Sequence, residues 1–171
     1  MGILVCGLNG SGKSTLGRAL AAALRLRFLD SEDLYFPDGR FDAPRTREEF
    51  LAALDAATRE GDFVFASVKG NGVQALRERI SLAIWVDAPR ETRLRRVRER
   101  SFRRFGERML PGGDLYAAEE RFFAQVASRS DEEMRAWAAQ LPWPVLRVDG
   151  TRPVEALVPE ICTWISETTG L

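Results

Sequence analysis

The sequence predicts an α/β protein in which helices cover both faces of a parallel β-sheet. Short apolar runs, each the length of one strand, alternate along the chain with stretches of helical pattern. Such alternation favours parallel pairing, because each helix carries the chain back to the starting edge of the sheet. The five candidate strands are residues 3–6, 27–29, 63–66, 82–86 and 145–148.

Three local patterns place helix boundaries between these strands. Thr46-Arg47-Glu48-Glu49 is a capping box and predicts a helix that runs to about Arg59. Ser130-Asp131-Glu132-Glu133 predicts another helix, extending to near Trp137. Thr151-Arg152-Pro153 fits the start of the last helix, because proline is tolerated in a first turn.

Length and composition predict one domain spanning residues 1–171. No Pro/Gly/Ser-rich linker or charge block divides the 171 residues, and the formal net charge is zero. This charge gives no reason to expect a nucleic-acid partner. The N-terminus enters a strand directly, and no apolar run approaches the ~20 residues of a membrane span. We therefore expect a cytoplasmic protein, a monomer or homodimer, with neither signal peptide nor membrane contact.

The first chemical signal is a glycine-rich segment between the first strand and the first helix. Its backbone N–H groups and the helix dipole suit phosphate oxygens, and Lys13 adds a positive charge. Ser14 is then the expected Mg²⁺ ligand through its hydroxyl. The sequence therefore predicts a site for ATP and Mg²⁺. The segment Gly7-Leu8-Asn9-Gly10-Ser11-Gly12-Lys13-Ser14 matches the full phosphate-binding loop motif, and Thr15 follows it.

An acidic segment, Asp30-Ser31-Glu32-Asp33, directly follows the second strand. Ligands of parallel sheets bind at the carboxyl ends of the strands. Carboxylates there can complete a Mg²⁺ shell, or orient an acceptor hydroxyl and take its proton. The chain has no histidine, so a general base would be one of these acids. The alternative is a helix N-terminus that is enriched in acids for capping.

The only other lysine, Lys69, follows the third strand. Arginine supplies the other 23 of the chain's 25 basic residues, so a lysine at a strand's carboxyl end suggests a need for a compact ammonium. Lys69 is accordingly a candidate for contact with the substrate or the transferring phosphate. The alternative is a solvated loop lysine.

Nine arginines face three glutamates between residues 89 and 108. The helical spacing from Leu94 to Val97 predicts that most arginines in the helical part are solvated. Residues 106–114 break helicity, and we expect a lid at approximately residues 101–115. Arginines on a closing lid can stabilise a transferring phosphoryl group. The candidates are Arg104 and Arg108 as catalytic groups and Arg100 at the nucleotide.

Asp87 ends the fourth apolar run and superficially suggests a metal-associated aspartate. Asp87-Ala88-Pro89 leads directly into a helix, so capping of that helix explains the residue without a metal.

The chain resembles P-loop kinases of the nucleoside-monophosphate-kinase-like group, and within it the small gluconate and shikimate kinases. Besides the phosphate loop, residues 29–34 are similar to the family's Leu-Asp-Gly-Asp segment. Ala66-Ser67-Val68-Lys69 resembles the Ser-Ala-Leu-Lys of gluconate kinases. Two departures leave the acceptor open. Tyr35-Phe36-Pro37 stands where gluconate kinases tend to have His-Pro, and the Gly-Gly-Gly of shikimate kinases is missing after the third strand.

The resemblance implies a three-layer P-loop NTPase fold with strand order 2-3-1-4-5. It also implies that Asp30 lies near Mg²⁺ and that Glu32 or Asp33 holds the acceptor hydroxyl. The segment Asp149-Gly150-Thr151-Arg152-Pro153 would line the adenine site.

These observations together predict an ATP–Mg²⁺-dependent phosphotransferase acting on a hydroxyl of a small polar metabolite. One alternative is a nucleoside monophosphate kinase, in which the arginines would contact an acceptor phosphate. The other is an ATP-binding regulatory or interaction ATPase without a small-molecule acceptor. In that case a set of aromatic residues could form a partner surface: Tyr35, Phe36, Phe41, Phe102, Phe105 and Tyr116.

Overall fold

A computed structural model describes residues 1–37, 43–70 and 72–170, so Phe41 lies outside the described residues. The strands are β1 (Gly2–Cys6), β2 (Arg27–Asp30), β3 (Phe63–Ser67), β4 (Ile80–Asp87) and β5 (Val145–Asp149). The helices are α1 (Lys13–Leu24), α2 (Ser31–Tyr35), α3 (Arg47–Arg59), α4 (Arg90–Phe105), α5 (Tyr116–Ala127), α6 (Asp131–Ala138) and α7 (Val154–Thr169). Short 3₁₀ turns occupy Gln74–Leu76 and Gly106–Met109.

The five strands form one parallel sheet in the order β2-β3-β1-β4-β5. This confirms the predicted fold class and strand order. The register aligns Cys6 with Ser67 and with Trp85, so the carboxyl ends of β1, β3 and β4 lie at one edge. At this edge the chain enters the phosphate loop from β1 and the acidic segment from β2.

Two apolar layers pack against the sheet. One contains Phe50 and Leu54 of α3 and Met134 of α6, and the other contains side chains of α1 and α7. All residues of β1 and β3 are buried, as expected for central strands covered on both faces. The loops at the carboxyl edge therefore follow strands that are packed on both faces.

Local sequence signals set several helix boundaries. The Thr46 hydroxyl accepts from the Glu49 N–H at 3.2 Å and Glu49 Oε2 accepts from the Thr46 N–H at 2.8 Å, which completes the predicted capping box. The Ser130 hydroxyl caps α6 by accepting from the Glu133 N–H. Helix α4 continues to Phe105, into the region expected to form the lid, and stops at Gly106, where φ is +57°.

The segment after α4 packs on a small apolar cluster of its own. Met109 is buried with Val97 of α4 and with Phe123 and Val126 of α5. Nearby, Phe102, Leu110 and Tyr116 are the large apolar side chains that stay exposed among the described residues. In the described part of the chain, no helix combines the length and the apolar character needed to cross a membrane.

Candidate active site

The phosphate loop occupies the turn between β1 and α1. Gly10 and Gly12 have φ of +81° and +103°, which L side chains rarely adopt. Gly10 also lies against α4: a Cβ there would stand 2.3 Å from the carbonyl oxygen of Arg93. Glycine at this position therefore serves both the turn and its close approach to α4.

Lys13, the first residue of α1, is buried, and the charges of four other side chains act on its ammonium group. Burial lowers the pKa of Lys13, whereas the carboxylates of Asp30 and Glu32 raise it. The positive charges of Arg100 and Arg129 lower the pKa of Lys13 further. The charges that act on Lys13 thus belong to two predicted acids, to one predicted arginine and to Arg129, which no sequence motif indicates.

The acidic segment forms the short helix α2, as the capping alternative predicts. Asp30 is buried and its Oδ1 accepts from the Glu32 N–H at 2.9 Å, so this carboxylate caps α2. The Asp30 carboxylate also raises the pKa of Lys13, so its capping of α2 is compatible with a role in the site. Asp33 differs, because partial burial and the charge of Asp30 raise its pKa, and Arg18 of α1 only partly offsets the rise. The electrostatics therefore associate Glu32, rather than Asp33, with Lys13.

Two cavities flank the phosphate loop. One, of about 200 Å³, is lined by Gly10, Gly12, Lys13, Ser14, Thr15, Arg96, Val97, Arg100 and Arg103. The other, of about 250 Å³, is lined by Ser11, Gly12, Thr15, Leu16, Val86, Arg96, Gly150, Arg152, Val154 and Leu157. Basic side chains line the first cavity, which therefore suits phosphates. The second cavity is more apolar and suits a base and a sugar.

Arg96 lies between the two cavities and lines both. Its NH1 group donates to the carbonyl oxygens of Gly150 at 2.9 Å and Ser11 at 3.3 Å. Arg93 is 1% exposed and contacts α6. As predicted, most arginines of this helix are exposed, among them Arg95, Arg98 and Arg100, and the exceptions are Arg93 and Arg96. Arg93 lies against the phosphate loop with its backbone, and Arg96 donates to that loop with its side chain. Helical spacing alone could not reveal these contacts.

The segment after β5 lies beside the phosphate loop. A Cβ on Gly150 would stand 2.4 Å from the Ser11 carbonyl oxygen. Asp149 Oδ1 accepts from the Thr151 N–H and hydroxyl at 2.8 and 2.7 Å, which fixes the turn, and Pro153 takes the N-cap position of α7. Of the four residues predicted for nucleotide binding here, Gly150 and Arg152 line the larger of these two cavities. Thr151 and Pro153 shape the turn.

The three candidate arginines of the lid region have different surroundings. Arg100 lines the phosphate-side cavity. The Arg104 guanidinium lies 5.4 Å from the centroid of the Phe105 ring. Arg108 donates to both carboxylate oxygens of Asp114, at 2.9 and 2.6 Å. The pair holds the pKa of Asp114 below its usual range, and a catalytic role for Arg108 stays a prediction.

Lys69 lies at the carboxyl end of β3, as predicted, and its Nζ is 3.5 Å from Glu133 Oε2 of α6. Lys69 therefore has an ionic partner in this arrangement, and contact with substrate stays a prediction.

Asp87 does not cap α4, contrary to the sequence interpretation. Pro89 holds the N-cap position without a side-chain hydrogen bond, and the Asp87 carboxylate accepts from Arg147 of β5 instead. The strand register brings Asp87 level with Asp149 and Arg147 beside them, which a linear pattern cannot show. A cavity of about 540 Å³ lies here, but its three carboxylates (Asp87, Asp131 and Asp149) already have partners.

The residues available to a cation fit Mg²⁺ bound together with phosphates. Among the described residues no group of three or more Asp, Glu, Cys or His side chains could hold a metal alone. Mg²⁺ characteristically keeps several waters and takes one or two protein ligands plus phosphate oxygens. Ser14 and the buried Asp30 are the side chains suited to this role.

The fold and the site define a class, the P-loop nucleotide-binding proteins. A glycine-rich turn joins a central strand to a helix, and a buried lysine stands at that helix N-terminus. Within this class, the model of a family described as AAA domain matches residues 3–107. The chain belongs to this family, and within it to the P-loop kinases.

Sequence relatives agree with this assignment. The chain is 35% identical to shikimate kinase of Symbiobacterium thermophilum over 151 residues, 74% of this chain and 83% of the relative. It is 29% identical to the uncharacterized protein YqaC of Bacillus subtilis (strain 168) over 175 residues, 96% of this chain and 97% of the relative.

Solved structures of kinases share the fold. Shikimate kinase from Aquifex aeolicus has a TM-score of 0.58 at 19% identity, covering 99% of this chain and 98% of its own. Deoxyadenosine kinase from M. mycoides has 0.59 at 15% identity, covering 98% and 100%. A gluconokinase from Sinorhizobium meliloti has 0.53 at 20% identity, covering 93% and 87%.

Proposed function

We propose that the protein is an ATP–Mg²⁺-dependent phosphotransferase whose acceptor is a hydroxyl of a small polar metabolite. The observation that carries the proposal is the charge cluster at Lys13. The charges that act on this buried lysine come from Asp30 and Glu32 at the carboxyl end of β2 and in α2, and from Arg100 in α4 and Arg129 after α5. Two carboxylates and two further cations around a phosphate loop match what phosphoryl transfer to a hydroxyl requires.

On the nucleotide side, the loop N–H groups and Lys13 hold the β- and γ-phosphates, and Arg100 adds charge from the cavity wall. Gly150 and Arg152 form the wall of the base cavity, with Arg96 joining that wall to the loop. Ser14 and Asp30 would hold Mg²⁺, which neutralises phosphate charge when bound.

On the acceptor side, Glu32 is the residue proposed to orient the hydroxyl and receive its proton. Its carboxylate raises the pKa of Lys13, whereas the pKa of Asp33 responds to burial, to Asp30 and to Arg18. Arg129 is half-buried, and its side chain has no ion pair or hydrogen bond with any residue in the described ranges. An acceptor that carries a carboxylate or a phosphate besides its hydroxyl would supply this missing partner.

The names of the relatives support a kinase but leave the acceptor undecided. Shikimate kinases and a gluconokinase phosphorylate hydroxyls of small acids, as their names imply, and the fold is shared with a nucleoside kinase. A nucleoside monophosphate acceptor remains the second enzymatic candidate, because Arg129 could equally meet an acceptor phosphate.

The test is Mg-ATP turnover, measured as ADP release, across sugar acids, polyols, shikimate and nucleoside monophosphates, with Lys13→Ala as the blank. Stimulation by one compound class, absent from the blank, is the expected result. Tight ATP binding with the same slow turnover across the whole panel would favour the regulatory ATPase and contradict the proposal.

A further inference from the structure

The connection between α5 and α6, residues 128–130, is held at both ends by arginines of α4. Arg90 donates from NH2 to the carbonyl oxygen of Ala127 at 2.8 Å. Arg93 donates from NH2 to Asp131 Oδ1 at 2.6 Å. Both arginines belong to the first turn of α4, three residues apart. Arg129 lies midway between the two residues that they hold.

Arg93 is an unusual choice for its position. It is 1% exposed, its Nε donates to the Ala88 carbonyl at 3.1 Å, and its NH1 has no partner among the described residues. A well-packed apolar side chain of similar volume is often as stable as a buried ion pair, or more so. Global stability therefore does not explain an arginine here, but fixing Asp131 in one place would.

Arg93 also contacts the phosphate loop through its backbone. The α-carbon of Gly10 approaches the Arg93 carbonyl so closely that a Cβ on Gly10 would stand 2.3 Å from that oxygen. One residue thus lies against the phosphate loop by its backbone and binds the first turn of α6 by its side chain. Arg93 is thus a direct link between the phosphate loop and residue 131.

Arg129 needs such support, because its own contacts do not fix it. Its N–H donates to the Val126 carbonyl at 3.3 Å, and within the described ranges its guanidinium makes no hydrogen bond or ion pair. The position of its guanidinium must then follow from where residues 127 and 131 are held.

We propose that Arg90 and Arg93 form a clamp that holds residues 127 and 131 and thereby positions Arg129 for the acceptor. The clamp is a positioning device: neither arginine is required to touch nucleotide or acceptor. The expected effect of the clamp on acceptor binding rests on the proposed function. Its expected effect on the opening of residues 127–131 does not.

The first experiment measures amide hydrogen exchange of residues 127–131 in the nucleotide-free protein, with no acceptor present. Arg93→Met keeps the packing of the side-chain stem but removes the bond to Asp131, and Arg90→Met removes the bond to Ala127. Exchange should accelerate on the order of tenfold in Arg93→Met. It should stay unchanged in Arg95→Met, the matched control, whose guanidinium lies 3.7 Å from Glu99 on the same helix. Unchanged exchange in both clamp variants would overturn the proposal.

The second experiment is a double-mutant cycle with Arg129→Met in acceptor-stimulated turnover, at a temperature where every variant is folded. Arg93→Met should raise KM for the acceptor and leave KM for ATP unchanged, and it should have no further effect when Arg129 is already methionine. Additive losses, or an increase in KM for ATP, would show a merely structural role.

The Asp131→Asn variant repeats both tests from the other side of the pair. If Asp131→Asn alone proves unstable, the double variant Arg93→Met/Asp131→Asn replaces it, because it buries no unpaired charge. Failure of the acceptor panel would remove the proposed function and leave the exchange result to decide the clamp.

Discussion

A methyl group added at Gly150 provides a direct test of the contact between the β5–α7 turn and the phosphate loop. In Gly150→Ala, the Cβ would lie 2.4 Å from the Ser11 carbonyl oxygen and 2.8 Å from Val86 Cγ1, where ordinary contacts begin at 3.4 Å. The φ of Gly150 is not positive, so alanine brings no backbone penalty of its own. The substitution therefore acts only by displacing the atoms that the new Cβ would meet.

The required displacement is about 1 Å, which would lengthen two bonds. Arg96 NH1 donates to the Gly150 carbonyl at 2.9 Å, and the Gly150 N–H donates to the Asp87 carbonyl at 2.6 Å. Overpacking of this kind costs about 1–3 kcal/mol, which for a chain of this size lowers Tm by roughly 2–12 °C. Loss of the Arg96 bond should weaken ATP binding by about 1–2 kcal/mol, or roughly 5- to 30-fold.

Calorimetric ATP titration and thermal unfolding of Gly150→Ala measure both quantities. Gly61→Ala is the matched control: φ is +87° with nothing within 4 Å, in the turn between α3 and β3. Its left-handed backbone should lower stability by about 1–2 kcal/mol without changing ATP affinity. A folded Gly150→Ala variant with wild-type ATP affinity would refute the assignment of the nucleotide to this cavity.

Three further predictions concern other parts of the chain. Arg96→Met should weaken ATP binding by about 5- to 30-fold, because the carbonyls of Gly150 and Ser11 lose a shared charged donor, and Arg95→Met should not; equal affinities in a titration would exclude Arg96 from the site. Glu32→Gln should lower acceptor-stimulated kcat by about 10²-fold and Asp33→Asn only slightly, and the reverse order would identify Asp33 as the acceptor carboxylate. Thr46→Ala should cost about 1 kcal/mol at pH 7 in denaturant unfolding, whereas Thr168→Ala on α7 should cost almost nothing. Hydrogen bonds from Thr46 hold the pKa of Glu49 below its usual range. Their stabilisation is therefore complete at pH values above the pKa of Glu49 in the unfolded chain, and it disappears as the pH falls through the pKa of Glu49 in the folded protein. The Thr46→Ala difference should therefore shrink in acid, and a constant difference down to pH ~2 would contradict this origin.

Much of the fold was predictable because local patterns and tertiary packing agree. The five strands and the capping box at Thr46 follow from apolar runs and capping chemistry, and each recurs in the structure within two residues. The phosphate loop could be placed with the same certainty, because strand, glycines and helix are contiguous in the sequence.

The missed residues depend on contacts between distant parts of the chain. Arg93 and Arg96 have the same local pattern as the solvated arginines of α4, and only the approach of the phosphate loop separates them. Arg129 precedes the capping pattern that begins at Ser130 but belongs to no motif, and its charge acts on Lys13 only through the fold. Asp87 was misassigned because its partner, Arg147, is brought alongside by strand pairing.

The most direct test of the central claim is the fate of the γ-phosphate in the presence of an acceptor. Reactions with Mg-ATP and the stimulating compound class would be followed by ³¹P NMR, with Lys13→Ala as the blank. A phosphate ester of the acceptor, formed in proportion to ADP and absent from the blank, is the predicted result. Inorganic phosphate as the sole product would contradict a phosphotransferase.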